Sequence, residues 1–159
     1  EKLPELVLDS VREFAKPCYG VDLFKLESPL PGATLPEHGN GPEALKAQAL
    51  FDEMGRICAD ADIPWVMLSA GVTPKQFQRV MQYAYAAGAN GFLAGRAIWW
   101  EALQHFPDLT AFEAQLRREG TATLAELAAL TTRAGKAWQP DYGAFGTLKA
   151  EGEFCLAYA

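Results

Sequence analysis

Trp65-Val66-Met67-Leu68-Ser69-Ala70-Gly71-Val72-Thr73-Pro74-Lys75-Gln76 sets a strand, a turn and a helix start in direct succession. Trp65 to Ser69 reads as a strand, with the unbroken apolar run expected of one covered on both faces. Ala70, Gly71 and Val72 turn the chain. Thr73 is placed to cap a helix, Pro74 suits its first position, and Gln76 completes a capping box. Phe77, Val80, Met81 and Ala84 follow as the buried stripe, and Gly88 is the expected stop.

The same grammar extends in both directions. Upstream, Leu3, Leu6, Val7, Val11 and Phe14 have helical spacing, closed by Pro17 and Gly20. Val21 to Leu26 reads as a strand, and Ser28 to Gly41, rich in Pro and Gly, as a long loop. A helix is expected from about Pro42 to Asp60, with Leu45, Ala49, Met54, Ile57 and Cys58 near one face. Downstream, Gly91 to Ala94 reads as a third strand running into Gly95-Arg96. Helices follow over Ala97 to His105 and Thr110 to Arg118. Thr123 with Glu126 predicts a second capping box, opening a helix whose apolar residues are Leu124, Leu127, Ala128 and Leu130 and which ends near Gly135. The order predicts a domain over residues 1–137 and an irregular tail, 138–159, docking on its surface. Strands separated by helices predict an α/β fold with parallel strands joined by crossovers.

Composition narrows the function. Of 159 residues, 50% are hydrophobic and 21% charged, which excludes wholesale disorder. No run approaches the roughly 20 apolar residues of a membrane span. The net charge of -6 argues against a nucleic-acid partner, while leaving room for a local basic pocket. Cys18, Cys58 and Cys155 are odd in number and far apart, and only His38 and His105 could join them, so neither a disulfide framework nor a metal site is expected. A reducing, cytoplasmic setting fits. Glu1 to Ser10 lacks the basic and apolar regions of a signal peptide. The start at Glu1 rather than methionine suggests a processed chain or a piece of a longer one.

Three polar groups fall at the C-terminal ends of the strands, the edge where α/β sheets and barrels bind ligands: Lys25, Ser69 and Arg96. Period two puts Val21, Leu23, Lys25 and Glu27 on one face of the first strand, opposite Phe24 and Leu26. Lys25 is then either an edge-strand lysine that discourages aggregation or an amine in a barrel mouth, where burial favours the nucleophilic free base. Ser69-Ala70-Gly71 offers a hydroxyl and backbone N–H groups to an anion, or is simple turn chemistry. Gly95-Arg96 offers a close backbone approach and a two-pronged guanidinium at a helix start, or a solvated arginine. His38 sits in the long loop at the same edge, and Trp99 and Trp100 read as packing.

In combination, Asp22-Leu23-Phe24-Lys25-Leu26-Glu27 with Pro29, Leu68-Ser69-Ala70-Gly71-Val72 and Gly91-Phe92-Leu93-Ala94-Gly95-Arg96-Ala97-Ile98-Trp99 resemble the last three strands of the tagatose 1,6-bisphosphate aldolase family, which includes the aldolase that splits sulfofructose phosphate. The resemblance spans about residues 5–137. It implies the C-terminal part, strands 6–8, of a (β/α)8 TIM barrel and a metal-free, cofactor-free class I aldolase acting on a phosphorylated ketose. It makes Lys25 the Schiff-base lysine and gives Ser69, Gly71, Gly95 and Arg96 to the substrate phosphate. The family's acid/base glutamate and a second active-site lysine lie on earlier strands, so a phosphate-binding fragment without turnover is the competing reading. With inward residues such as Leu23, Met67 and Leu93 lacking partners, self-association is expected.

Overall fold

The computed structural model describes residues 2–138. Of the expected tail only Trp138 is among them; the rest of that expectation lies outside the described residues. Helix α1 spans Leu3–Phe14, strand β1 Phe24–Leu26 and helix α2 Pro42–Asp60. Strand β2 is Trp65–Leu68, helix α3 Pro74–Ala86 and strand β3 Gly91–Leu93. Helices α4 (Arg96–Leu103), α5 (Leu109–Gln115) and α6 (Thr121–Ala134) complete the described chain. The sheet order is β1-β2-β3, with both pairs parallel. None of the described helices is long and apolar enough to cross a membrane.

Both halves of the capping box expected at α3 are present: Thr73 accepts from the Gln76 N–H, and the Gln76 side chain accepts from the Thr73 N–H. The second box is not. A π-helical turn over Leu116–Gly120 links α5 to α6 without a break, so Thr123 lies inside a helix with no free N–H to cap. Glu126 instead accepts from Gln78 on α3. Of the apolar residues expected to pack on α6, Leu127 is fully buried while Leu124 and Ala128 are exposed. The buried face of α2 is also rotated from the expected one. Ala44, Ala47, Phe51, Met54, Ile57 and Cys58 point inward, whereas Leu45 and Ala49 face water.

Register decides which side of the sheet each residue occupies. Leu26, Met67 and Phe92 form one row; Lys25, Val66 and Gly91 form the next, on the opposite face. The first row faces the helices. Leu26 and Met67 are buried, and Phe92 meets Phe77 of α3 edge-on with ring centroids 6.1 Å apart. Met67 is therefore a core residue, not an inward-facing one. Its strand is apolar on both faces, so no alternation in β2 marks the difference. Phe51 of α2 stacks on Tyr83 of α3 at 5.4 Å, joining the two helices over the sheet. On the other face Lys25 and Leu93 are exposed, as is Leu23 just before β1.

The 28–41 loop runs from β1 to the flank of α3 and is fastened there. Arg79 donates to the Leu35 carbonyl at 2.7 Å and pairs with Glu37, while the Tyr83 hydroxyl lies 3.2 Å from both the Pro36 and Glu37 carbonyls. Gly32 sits where a Cβ would lie 3.0 Å from Val80 and 3.1 Å from Val72, so the loop presses directly against the residue after Gly71. The segment that leaves the lysine strand thus braces the turn after β2.

Candidate active site

At the C-terminal edge of the sheet the three strand ends open into one cleft of about 570 Å³. Lys25, Ser69, Gly71, Gly95 and Arg96 all line it, joined by Glu27, Ala70 and Trp99. Residues up to 74 positions apart in sequence converge because parallel strands deliver successive C-terminal ends to the same side.

The turn after β2 is the most constrained part. The Val72 N–H donates to the Ser69 carbonyl at 3.1 Å, closing a four-residue turn. Its central residues, Ala70 at φ 49° and Gly71 at φ 80°, are both left-handed. Positive φ at both centres is the mirror-image form of the common turn. For Ala70 it costs on the order of 1 kcal/mol, strain of the kind that collects at functional sites. Ser69 is buried and its N–H donates to the Leu93 carbonyl at 3.1 Å, tying the turn to β3. Among the described residues the Ala70 and Gly71 N–H groups have no partner and remain available.

Arg96 begins α4 and lays its guanidinium against this turn. A Cβ on Gly71 would lie 2.9 Å from the arginine Cζ, so a side chain there would push the guanidinium aside, and the left-handed φ of 80° itself favours glycine. Arg96 has no ion-pair partner among the described residues. Two cations, Lys25 and Arg96, thus share a cleft whose lining holds one carboxylate, Glu27, on a chain that is acidic as a whole.

Two alternatives left open by the sequence are distinguished by exposure and place. Lys25 is exposed, not buried, because the inner face of β1 carries no covering layer. His38 does not line the cleft; it packs edge-on against Tyr83 at 4.9 Å, on the anchored loop. Trp99, which reads from the sequence as packing, is also among the residues lining the cleft. A helical side chain leans toward the N-terminus of its helix, which carries this ring from the first turn of α4 back over the strand ends.

A second hollow of about 620 Å³ lies at the C-terminal ends of α1 and α2, lined by Arg12, Lys16, Arg56 and Asp60. Its cations are already matched: Arg12 pairs with Asp9 and Glu53, Lys16 with Glu13, and Arg56 with Glu53 and Asp60. It is slightly larger, but it offers no free charge. Among the described residues no three His, Cys, Asp or Glu side chains group as metal ligands. Cys58 is buried, which pushes its thiol up to about 12 and makes it inert.

A parallel α/β unit whose strand ends converge on one cleft has the arrangement in which α/β folds bind ligands. Residues 1–101 match the family described as DeoC/LacD family aldolase, and the chain belongs to that family. It is 32% identical over 150 residues to the tagatose 1,6-diphosphate aldolase of Listeria monocytogenes serotype 4a, an alignment covering 89% of this chain and 43% of the relative. It is 35% identical over 109 residues to tagatose 1,6-diphosphate aldolase 1 of Enterococcus faecalis, covering 65% of this chain and 32% of the relative. Against tagatose 1,6-diphosphate aldolase 1 of Streptococcus mutans the identity is 29% over 140 residues, covering 86% and 43%. The chain spans less than half the length of these curated relatives.

Proposed function

We propose that the chain supplies strands six to eight of a (β/α)8 barrel, and that its cleft is the lysine and phosphate side of a class I aldolase active site in a cytoplasmic sugar-phosphate enzyme. The observation that carries the reading is convergence. A lysine on the inner face of β1, a turn with free N–H groups after β2, and an arginine after β3 line one cleft. Barrels commonly bind phosphate after strands seven and eight, the positions this reading gives to Ser69–Gly71 and Gly95–Arg96.

The chemistry follows. The free-base amine of Lys25 adds to the C2 carbonyl of a ketose 1,6-bisphosphate, such as tagatose 1,6-bisphosphate, and loss of water leaves an iminium ion. A carboxylate takes the C4 hydroxyl proton, the C3–C4 electron pair moves toward the iminium, and glyceraldehyde 3-phosphate departs, leaving an enamine. Protonation at C3 and hydrolysis of the imine release dihydroxyacetone phosphate and restore Lys25. Arg96 and the turn amides hold the phosphate of the dihydroxyacetone half in place during these steps. Whether the sugar is tagatose bisphosphate or sulfofructose phosphate depends on contacts at the far end of the substrate, beyond these three strands.

A second reading has its own support. Glu27 is the one carboxylate lining the cleft, and it lies one residue beyond β1, two positions along the chain from Lys25. The 159-residue chain by itself is then expected to bind phosphate and form an imine without cleaving a carbon–carbon bond. Incubation with dihydroxyacetone phosphate, borohydride reduction and peptide mapping tests both readings. An adduct on Lys25 that is absent in Lys25→Met supports the lysine assignment, and turnover in a triose-phosphate assay separates enzyme from binding fragment. An adduct on another lysine removes the assignment.

A further inference from the structure

Resting on the reading of this cleft as a phosphate site, we propose that Trp99 is a specificity residue whose indole N–H donates to the bound phosphate, completing a three-sided donor set with Arg96 and the Ala70–Gly71 turn. The ring lines the cleft together with Lys25, Ser69, Gly71 and Arg96, and a Cβ on Gly95 would lie 3.4 Å from Trp99 Nε1. The indole nitrogen therefore sits beside the bare α-carbon of Gly95, at the end of β3. Its neighbour Trp100 does not line the cleft and is 49% exposed, while Trp99 is 37% exposed with its polar edge on the cleft side.

Indole N–H is a donor and never an acceptor, so at this place it suits an anion and gains nothing from a cation or a second donor. It is also neutral. Arg96 and Lys25 already supply charge, and a further neutral donor adds direction: it favours a tetrahedral oxyanion that can reach three separate donor groups over a planar carboxylate that can satisfy two. Trp99 would thus separate phosphorylated ketoses from their unphosphorylated or carboxylated counterparts, and it takes no part in imine chemistry.

The test uses the 159-residue chain labelled with ¹⁵N and titrated with inorganic phosphate, then with dihydroxyacetone phosphate. The Trp99 indole cross-peak is assigned by its loss in Trp99→Phe, and the buried indole of Trp65 on the helix side of the sheet serves as an internal control. The expected result is a saturable shift of the Trp99 indole in step with the Ala70, Gly71 and Arg96 amides, lost in Arg96→Ala. Trp99→Phe, which keeps a ring in place, should weaken phosphate binding by about three- to tenfold, the size of one neutral hydrogen bond. In borohydride trapping it should slow the reaction with dihydroxyacetone phosphate more than the reaction with unphosphorylated dihydroxyacetone. If the turn amides move while the indole stays still and Trp99→Phe binds phosphate normally, Trp99 is a packing residue and the phosphate site survives without it. If neither moves, the cleft is not a phosphate site and both readings fall.

Discussion

The two faces of the sheet are built from the same three strands and have opposite fates. On the helix side, Phe24, Leu26, Trp65 and Met67 are buried under α2 and α3, in a core that also takes in Phe51, Phe77 and Tyr83. On the other side, Leu93 is 46% exposed, and Lys25 reaches into open solvent. The first face accounts for the stability of the unit; the second carries the residues that converge on the cleft. Chemistry here sits on the face with few packing constraints, held in register by a face that has many.

The largest expected effect tests that division directly. Met67→Ala should cost about 2–5 kcal/mol in urea unfolding, since Met67 is fully buried and its neighbours cannot close over the void. Leu93→Ala, one strand away on the opposite face, should stay within about 0.5 kcal/mol. Equal losses at the two positions would mean that the inner face is covered in solution. Concentration-dependent sedimentation would then identify the cover as a second copy of the chain, in line with the self-association expected from the exposed apolar face.

A smaller effect probes how the cleft borrows rigidity from the packed side. Arg96→Ala removes a charge-assisted contact, and phosphate binding should weaken by about 1.5–3 kcal/mol with little change in unfolding. Gly71→Ala should reach a similar loss by another route. The added methyl meets the guanidinium and must also hold a left-handed backbone, so Arg96 is displaced and the turn is destabilised. A Gly71→Ala protein that binds phosphate as well as wild type would show that Arg96 does not depend on this turn for its placement.

These contrasts also explain what could be read in advance. Strand–helix alternation, the Thr73–Gln76 box and the face of Lys25 were legible because each rests on residues within a few positions of one another. The convergence of Lys25, Ser69, Gly71, Gly95 and Arg96 was legible because parallel strands bring their C-terminal ends together whatever the details of packing. Met67 was placed on the wrong face because register, a property of strand pairs, decides it. The Thr123–Glu126 box failed because the helix had already begun, through a π-helical turn that leaves no local mark. Trp99 looked like packing because an aromatic at helical spacing usually is, and only the backward lean of its side chain brings it to the strand ends.

The smallest expected effect lies at the edge of the packed side, where α1 meets α2. Glu53 accepts from Arg12 at 2.7 Å and from Arg56 at 2.9 Å, so one carboxylate bridges an arginine of each helix. The hydrogen bonds from Arg56 and Arg12 hold its carboxyl at about 2, below its ordinary 4.5. A carboxylate whose folded-state value is depressed stabilises the fold above its unfolded value and loses that contribution as pH falls. Its share is therefore complete above about pH 4.5 and disappears toward pH 2. Both arginines are open to solvent, which screens the interaction, so the total should be about 1 kcal/mol or less. Glu53→Gln keeps the shape and removes the titration, so the variant should unfold slightly more easily at pH 7 and converge on wild type by pH 2. The cleft side of the sheet has no matching bridge across it in the described residues. An acid limb that survives intact in Glu53→Gln would place the sensitive carboxylate elsewhere and leave α1 held to the domain by its apolar contacts, Val7, Leu8 and Val11 among them.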